Sequence, residues 1–125
     1  MLSTFAKIFG VVFVAVGLLG FVPMFTPNEH LLGLFHVNGI HNVIHLASGI
    51  VALGVGFSSN QASRLYFQIF GVVYALVAAL GLIYGNQPIL GVVTNNLADT
   101  LLHIAIAATA LALGFGTPKE KAVTA

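Results

Sequence analysis

The stretch FHVNGIHNVIHLASGIVALGVGF, residues 35–57, carries no Asp, Glu, Lys or Arg and is long enough to cross a membrane as one helix. About 20 helical residues, rising roughly 1.5 Å each, span the hydrocarbon core of a bilayer. A helix also satisfies its own backbone hydrogen bonds in lipid. The first half of this stretch nevertheless contains three histidines and two asparagines, which are costly to place in lipid. The stretch therefore predicts a membrane helix with one polar face turned toward protein.

The rest of the chain has a similar composition. Charged residues make up 6% and hydrophobic residues 58% of the 125 residues, whereas soluble domains contain about 25% charged residues. Four apolar segments alternate with turn-forming stretches, at about residues 5–22, 35–57, 65–84 and 93–115. We predict an all-α integral membrane protein, a four-transmembrane-helix bundle in the lipid bilayer, with residues 1–125 forming a single membrane domain.

The bundle is predicted to consist of two tandem helical hairpins. A shift of 58 residues aligns the second segment with the fourth, and a shift of 61 aligns IFGVV at residues 8–12 with IFGVV at 69–73. Repeat 1 spans about residues 5–57 and repeat 2 about 65–115, related by a pseudo-two-fold axis along the membrane normal. The first segment could instead be a cleaved signal peptide, but the repeat requires it as a helix.

The basic residues predict the orientation. By the positive-inside rule, Lys and Arg mark the cytoplasmic side of a membrane protein. We therefore expect both termini to be cytoplasmic, with residues 116–125 as a cytoplasmic tail. All the Lys and Arg residues lie at the termini or between the second and third segments: Lys7, Arg64, Lys119 and Lys121.

Polar residues recur on one face of the second and fourth segments. The equivalent sets are Asn38, His41 and His45, and Asn96, Asp99 and His103. Such residues turn toward the bundle interior, and residues spaced i, i+4 can offer two ligands to one ion. We predict a divalent metal ion, zinc or copper by ligand type, bound in the outer half of the bundle by His41, His45, Asp99 and His103. The residues predicted to orient these ligands are Asn38, Asn42, Asn96 and Thr100.

Other interpretations use the same residues. His45 and His103 alone could be the axial ligands of a haem b. The polar residues could instead line a proton or solute pathway, or form a structural network without any cofactor. In the structural case the protein would be an accessory subunit of a larger membrane complex, or a homo-oligomer. Small residues below the polar sets predict a close approach of the second and fourth helices: Gly49, Ala52, Gly56, Ala107, Ala110 and Gly114.

Several chemistries are excluded by what the sequence lacks. The chain has no cysteine, so disulfides, thiolate metal sites and c-type haem attachment are excluded. It has no Gly-rich phosphate loop, serine nucleophile motif or basic patch, so nucleic acid is not an expected partner. His30 and His36 are interpreted as loop histidines rather than ligands. The sequence thus favours a metal-binding membrane protein over an enzyme.

The residues LLGLFHVNGIHNVIHLASG, 31–49, also carry a resemblance. Together with IFGVVFVAVGLLGFVP at residues 8–23 and DTLLH at 99–103, they resemble the domain of unknown function 4383 family of small bacterial four-span membrane proteins. The resemblance covers nearly the whole chain. It implies a multi-pass protein of the bacterial cytoplasmic membrane and brings no established activity, substrate or cofactor.

Overall fold

The computed structural model describes residues 1–118, and four long helices make up most of it. Each of the four is long and apolar enough to cross a membrane, and each exposes large apolar side chains suited to contact with lipid. The predicted all-helical chain with four candidate membrane spans is confirmed. Most of the predicted tail at 116–125 lies outside the described residues. The helices are α1 (Leu2–Leu19), α2 (Gly39–Ser58), α3 (Asn60–Tyr84) and α4 (Leu97–Phe115).

Helices α2 and α4 each begin four residues later than the sequence predicted, after an asparagine cap. The side-chain oxygen of Asn38 accepts from the backbone N–H of His41 (2.8 Å), and that of Asn96 from Asp99 (2.9 Å). An asparagine at this position satisfies a free N–H of the first turn. The two asparagines therefore end the loops instead of continuing the helical polar face. His45 is the seventh of the 20 residues of α2, about 9 Å along the helix from Gly39, in the half of the helix next to the first loop.

Helix α3 begins five residues earlier than predicted, at Asn60. The polar stretch SSNQASR, residues 58–64, was expected to form a loop, but only Ser59 separates α2 from α3. The hydroxyl of Ser59 accepts from the N–H of Ala62 (3.0 Å) and so caps α3. Most of the polar residues consequently lie in the first turns of α3, with Ser59 as its cap.

The loop between α1 and α2 contains a short β-hairpin that the sequence did not predict. Strands β1 (His30–Leu31) and β2 (Phe35–His36) pair antiparallel, with His30 opposite His36. The loop between α3 and α4 repeats this turn as a single bridge between Ile89 and Val93. Both turns use a left-handed residue pair with φ between 53° and 75°, Leu32–Gly33 in the first loop and Leu90–Gly91 in the second. The two loops thus have the same local conformation.

Glycines pack the helices within each hairpin. A Cβ on Gly49 of α2 would lie 2.7 Å from the backbone nitrogen of Val14 in α1, and one on Gly114 of α4 would lie 2.7 Å from that of Gln68 in α3. Such close approach is the usual role of small residues between membrane helices. The prediction that the small residues bring α2 against α4 is therefore wrong: these glycines pack α2 on α1 and α4 on α3.

The two hairpins meet through aromatic side chains of α1 and α3. The ring of Phe9 lies 5.1 Å from that of Phe67, edge to face, and the ring of Phe13 lies 5.5 Å from that of Phe70. Edge-to-face aromatic pairs add to the stability gained from burial. This aromatic layer forms the centre of the core, and it supports the histidines of α2 and α4.

Reciprocal hydrogen bonds join the loop ends of the hairpins. The side-chain amide of Asn38 donates to the carbonyl of Val92 (3.0 Å), and that of Asn96 donates to the carbonyl of Leu34 (2.8 Å). Each capping asparagine thus also binds the loop of the other hairpin. These bonds hold the first turns of α2 and α4 side by side.

Candidate metal centre

Three histidines converge between α2 and α4. His41 and His45 come from α2, His103 comes from α4, and one ring nitrogen of each lies within 4.8 Å of the others. All three side chains are at most 5% exposed. The i, i+4 spacing places the first two on one helical face, and the neighbouring helix supplies the third. The structure therefore brings together three of the four predicted ligands.

The imidazole rings form a compact triangle. The ring centre of His41 lies 4.6 Å from that of His45 and 6.0 Å from that of His103, and the latter two are 6.2 Å apart. The rings of His41 and His45 are nearly perpendicular, at 88°. No ring is stacked face to face on another, so the nitrogens at the ring edges can point toward a shared centre.

A threonine fixes the tautomer of His41. The hydroxyl of Thr94 donates its only hydrogen to the carbonyl of His36 (2.9 Å), so it can only accept from the Nδ1 of His41, 3.2 Å away. Nδ1 therefore carries the proton, and the lone pair lies on Nε2. Within residues 1–118, this Nε2 is buried without a hydrogen-bond partner. The arrangement is typical of a metal-ligating histidine, whose other nitrogen donates to a fixed oxygen.

The other two histidines lie against aromatic rings of the core. His45 packs edge to face on Phe13 at 5.5 Å, and His103 packs in the same way on Tyr74 at 5.4 Å. The Nδ1 of His103 is also buried without a hydrogen-bond partner in the described part of the chain. The packing holds the rings in place and leaves that nitrogen available to a ligand.

Asp99, the fourth predicted ligand, is occupied at the helix start. Its Oδ2 accepts from the backbone N–H of Asn96 (3.0 Å) and of His36 (3.1 Å). The first bond completes a capping box on α4, and the second ties the other loop to this helix. Asp99 is not part of the converging group.

A family model described as "Domain of unknown function (DUF4383)" matches residues 3–116, nearly the whole chain. The chain belongs to the DUF4383 family. Neither the search of curated proteins nor the search of solved structures gives a match. The assignment of a candidate site in this DUF4383 chain therefore rests on the geometry of its own residues.

The residues predicted to orient the ligands have other contacts in this DUF4383 chain. Asn38 and Asn96 cap helices, and Asn42 packs against Gly20 at the end of α1. The hydroxyl of Thr100 accepts a hydrogen bond from the side-chain amide of Asn95 (3.2 Å). The orienting residue that sequence reasoning missed is Thr94. The 58-residue shift makes Thr94 equivalent to His36, and this correspondence is the sequence feature that could have pointed to Thr94.

His30 and His36 lie in the first loop, as predicted. Their rings stack at 4.7 Å with an interplanar angle of 5°, and the Nε2 of His36 lies 3.8 Å from a carboxylate oxygen of Glu29. They belong to the β-hairpin, outside the buried histidine group.

A cavity of about 620 Å³ leads to the three histidines of this DUF4383 chain. It lies between α2 and α3 and is lined from Val55 and Ala62 at one end to the histidines, Ile89 and Val93 at the other. Its volume is within the usual range for small-molecule sites, roughly 300–1,000 Å³. The buried histidines are thus reached through an apolar space.

Proposed function

We propose that this membrane protein binds one divalent metal ion, zinc before copper, through His41, His45 and His103. The observation that carries the proposal is the convergence of three buried imidazoles, with ring nitrogens within 4.8 Å of one another. Imidazole is a preferred ligand of both metals. A three-histidine set would leave one coordination position open, and all three residues line the cavity.

The energetics of the site favour an ion. The Nε2 of His41 and the Nδ1 of His103 are buried without partners in the described residues, and each such group costs about 1–3 kcal/mol. Zinc–nitrogen bonds of about 2.0–2.1 Å place ligand nitrogens roughly 3.3 Å apart in a tetrahedral site. The ring nitrogens lie within 4.8 Å of one another. The distances between them would therefore have to shorten by about 1.5 Å at most, which side-chain rotation can provide.

Asp99 as a fourth ligand stays a prediction. To bind the ion through Oδ2, the carboxylate would have to release the backbone N–H groups of His36 and Asn96. We assign Asp99 the role of fixing the first turn of α4, from which His103 projects one turn later.

A haem between His45 and His103 fits less well. The ring centre of His41 lies 4.6 Å from that of His45 and 6.0 Å from that of His103. A porphyrin plane midway between His45 and His103 would therefore run through the space that the His41 imidazole occupies. The third imidazole thus favours a single ion over a haem.

The test is the metal content of the purified full chain. We expect about one zinc or copper ion per chain by elemental analysis, and saturable uptake of zinc after removal by a chelator. A chain that stays folded, contains no metal and does not take up zinc would contradict the proposal. It would favour instead the structural network of an accessory subunit, in which the polar side chains join the hairpins without a metal ion.

Thr94→Val tests the orienting role of the threonine. The substitution removes the acceptor that holds the proton on the Nδ1 of His41. We expect zinc affinity to fall about tenfold, as is usual when such a partner is lost, with the stoichiometry unchanged. Zinc titration calorimetry measures the change. Thr109→Val is the matched control, because the exposed hydroxyl of Thr109 bonds only to the carbonyl of Ala105 in its own helix; an equal loss in both variants would contradict this role.

We propose that the single membrane domain consists of two tandem hairpins, about 5–57 and 65–115, related by a pseudo-two-fold axis. Equivalent contacts under the two sequence shifts support the proposal. The ring contact of Phe13 with His45 corresponds to that of Tyr74 with His103. The hydrogen bond from Asn38 to Val92 corresponds to that from Asn96 to Leu34. The close packing of Gly10 against Leu53 corresponds to that of Gly71 against Leu111.

We also propose that both termini are cytoplasmic, in a bacterial cytoplasmic membrane. The positions of Lys7 and Arg64, near the end of the bundle opposite the histidines, support this orientation. The chain has no cysteine, so single cysteines can be introduced as probes. We expect a membrane-impermeant maleimide to label Met24→Cys in intact bacterial cells, and Gln61→Cys only after permeabilisation. The reverse pattern would contradict the orientation.

A further inference from the structure

The cavity between α2 and α3 opens toward the side of the bundle. Its lining includes exposed side chains along both helices, Val51 (53% exposed), Leu65 (55%), Ile69 (57%) and Val73 (47%). In a membrane-spanning bundle this position faces the hydrocarbon of the bilayer. A molecule dissolved in the membrane can therefore enter the cavity without passing through water.

The inner end of the cavity is lined by side chains that have buried polar atoms without hydrogen-bond partners. Tyr74 lines it and is 4% exposed, and its hydroxyl has no hydrogen-bond partner among residues 1–118. His41 and His103, whose Nε2 and Nδ1 have no hydrogen-bond partner among these residues, also line the cavity. By contrast, the hydroxyl of Tyr66, further along the cavity, donates to the carbonyl of Ser48 (3.0 Å). A buried tyrosine hydroxyl normally has a partner. The side chain of Ser48 lies near the hydroxyl of Tyr74 but makes no hydrogen bond with it, so the hydroxyl is available to a ligand.

We infer that this cavity binds an uncharged amphiphile from the bilayer. The apolar body would lie between α2 and α3, and a hydroxyl or carbonyl oxygen would accept a hydrogen bond from Tyr74 beside the histidines. The inference goes beyond metal binding and does not require it, because Tyr74 is outside the proposed ligand set. Nothing else assigned to the site uses this hydroxyl.

The lining decides the class of ligand. The lining residues include no Lys, Arg, Asp or Glu, so a phosphate or carboxylate head group would find no countercharge in a setting where charge is costly. A plain hydrocarbon, such as the tail of a surrounding lipid, would leave the hydroxyl of Tyr74 unpaired. A cavity of about 620 Å³ has the size of a small-molecule site.

Photolabelling of the purified full chain tests the inference. The chain is placed in phosphatidylcholine vesicles with a chelator and labelled with a diazirine-bearing hexadecanol or the matching diazirine-bearing hexadecane. We expect the alcohol to label peptides of α2 and α3 that line the cavity, and excess unlabelled hexadecanol to compete. Tyr74→Phe should lower labelling by the alcohol about fivefold, the size of one neutral hydrogen bond, and leave labelling by the hydrocarbon unchanged.

Matched substitutions on α3 control for folding. Val73→Trp fills the mouth of the cavity and should block both probes, whereas Val72→Trp, at a similarly exposed position outside the lining, should block neither. Equal labelling by both probes, no effect of Tyr74→Phe, or labelling explained by contact with a second copy would each overturn the inference. Because the protein is kept free of metal, a failure of the metal proposal would leave this result unaffected.

Discussion

We expect replacement of His45 and His103 together by alanine to abolish the proposed stoichiometric zinc binding. The two side chains supply two of three proposed ligands, one from each helix. Loss of a residue that only orients a ligand costs about 10–100-fold in metal affinity, so loss of two ligands should cost more than about a hundredfold. Elemental analysis of the purified variant and zinc titration of the metal-free protein measure the effect.

The first loop provides the matched control for this pair. His30→Ala with His36→Ala removes two stacked histidines from the β-hairpin and should leave one zinc ion per chain. Asp99→Asn keeps an oxygen that can accept from the backbone N–H groups of Asn96 and His36, so it should retain zinc affinity within about threefold. Zinc retained without His45 and His103, or lost with the loop pair, would place the ion elsewhere. A large loss in Asp99→Asn would restore the aspartate as a ligand.

Gly49→Ala should destabilise the first hairpin. The added Cβ would lie 2.7 Å from the backbone nitrogen of Val14 and 2.9 Å from the carbonyl oxygen of Gly10. Because backbone atoms cannot rotate away, α1 and α2 must separate. Overpacking of this kind costs about 1–3 kcal/mol. The free energy of unfolding, measured by circular dichroism in detergent with added denaturant, should fall by that amount.

Gly54→Ala is the control on the same helix. A Cβ at Gly54 meets no heavy atom within 4 Å in the described structure, and alanine favours a helix over glycine by up to about 1 kcal/mol. This variant should be as stable as the unmodified chain or slightly more so. Equal losses in the two variants would show that close packing at Gly49 does not limit stability.

The sequence predicts the four long apolar helices well because composition and length largely determine them. The four apolar segments correspond to the four helices, and the spacing of His41 and His45 correctly places them on one face, opposite His103. These features depend on local periodicity, which a single sequence carries.

The errors arise where one residue type can serve two purposes. An asparagine before an apolar run can continue a polar helical face or cap the helix, and Asn38 and Asn96 are caps. Asp99 can be a ligand or the third residue of a capping box, and its Oδ2 is used in the box. Glycines at helix-packing spacing do not say which neighbouring helix they contact. Contacts between distant residues, such as Thr94 with His41, depend on the tertiary structure.

The reciprocal asparagine bonds require both hairpins to be present, because each asparagine binds the loop of the other hairpin. The carbonyl of Leu34 receives its partner from Asn96, 62 residues later in the chain, and the imidazole of His41 depends on Thr94 for its orientation. During synthesis, the first hairpin is made before these partners, and His103 follows only with the last helix. The proposed ion would therefore reach full coordination only in a chain whose last helix is in place, so metal loading would report that translation is complete.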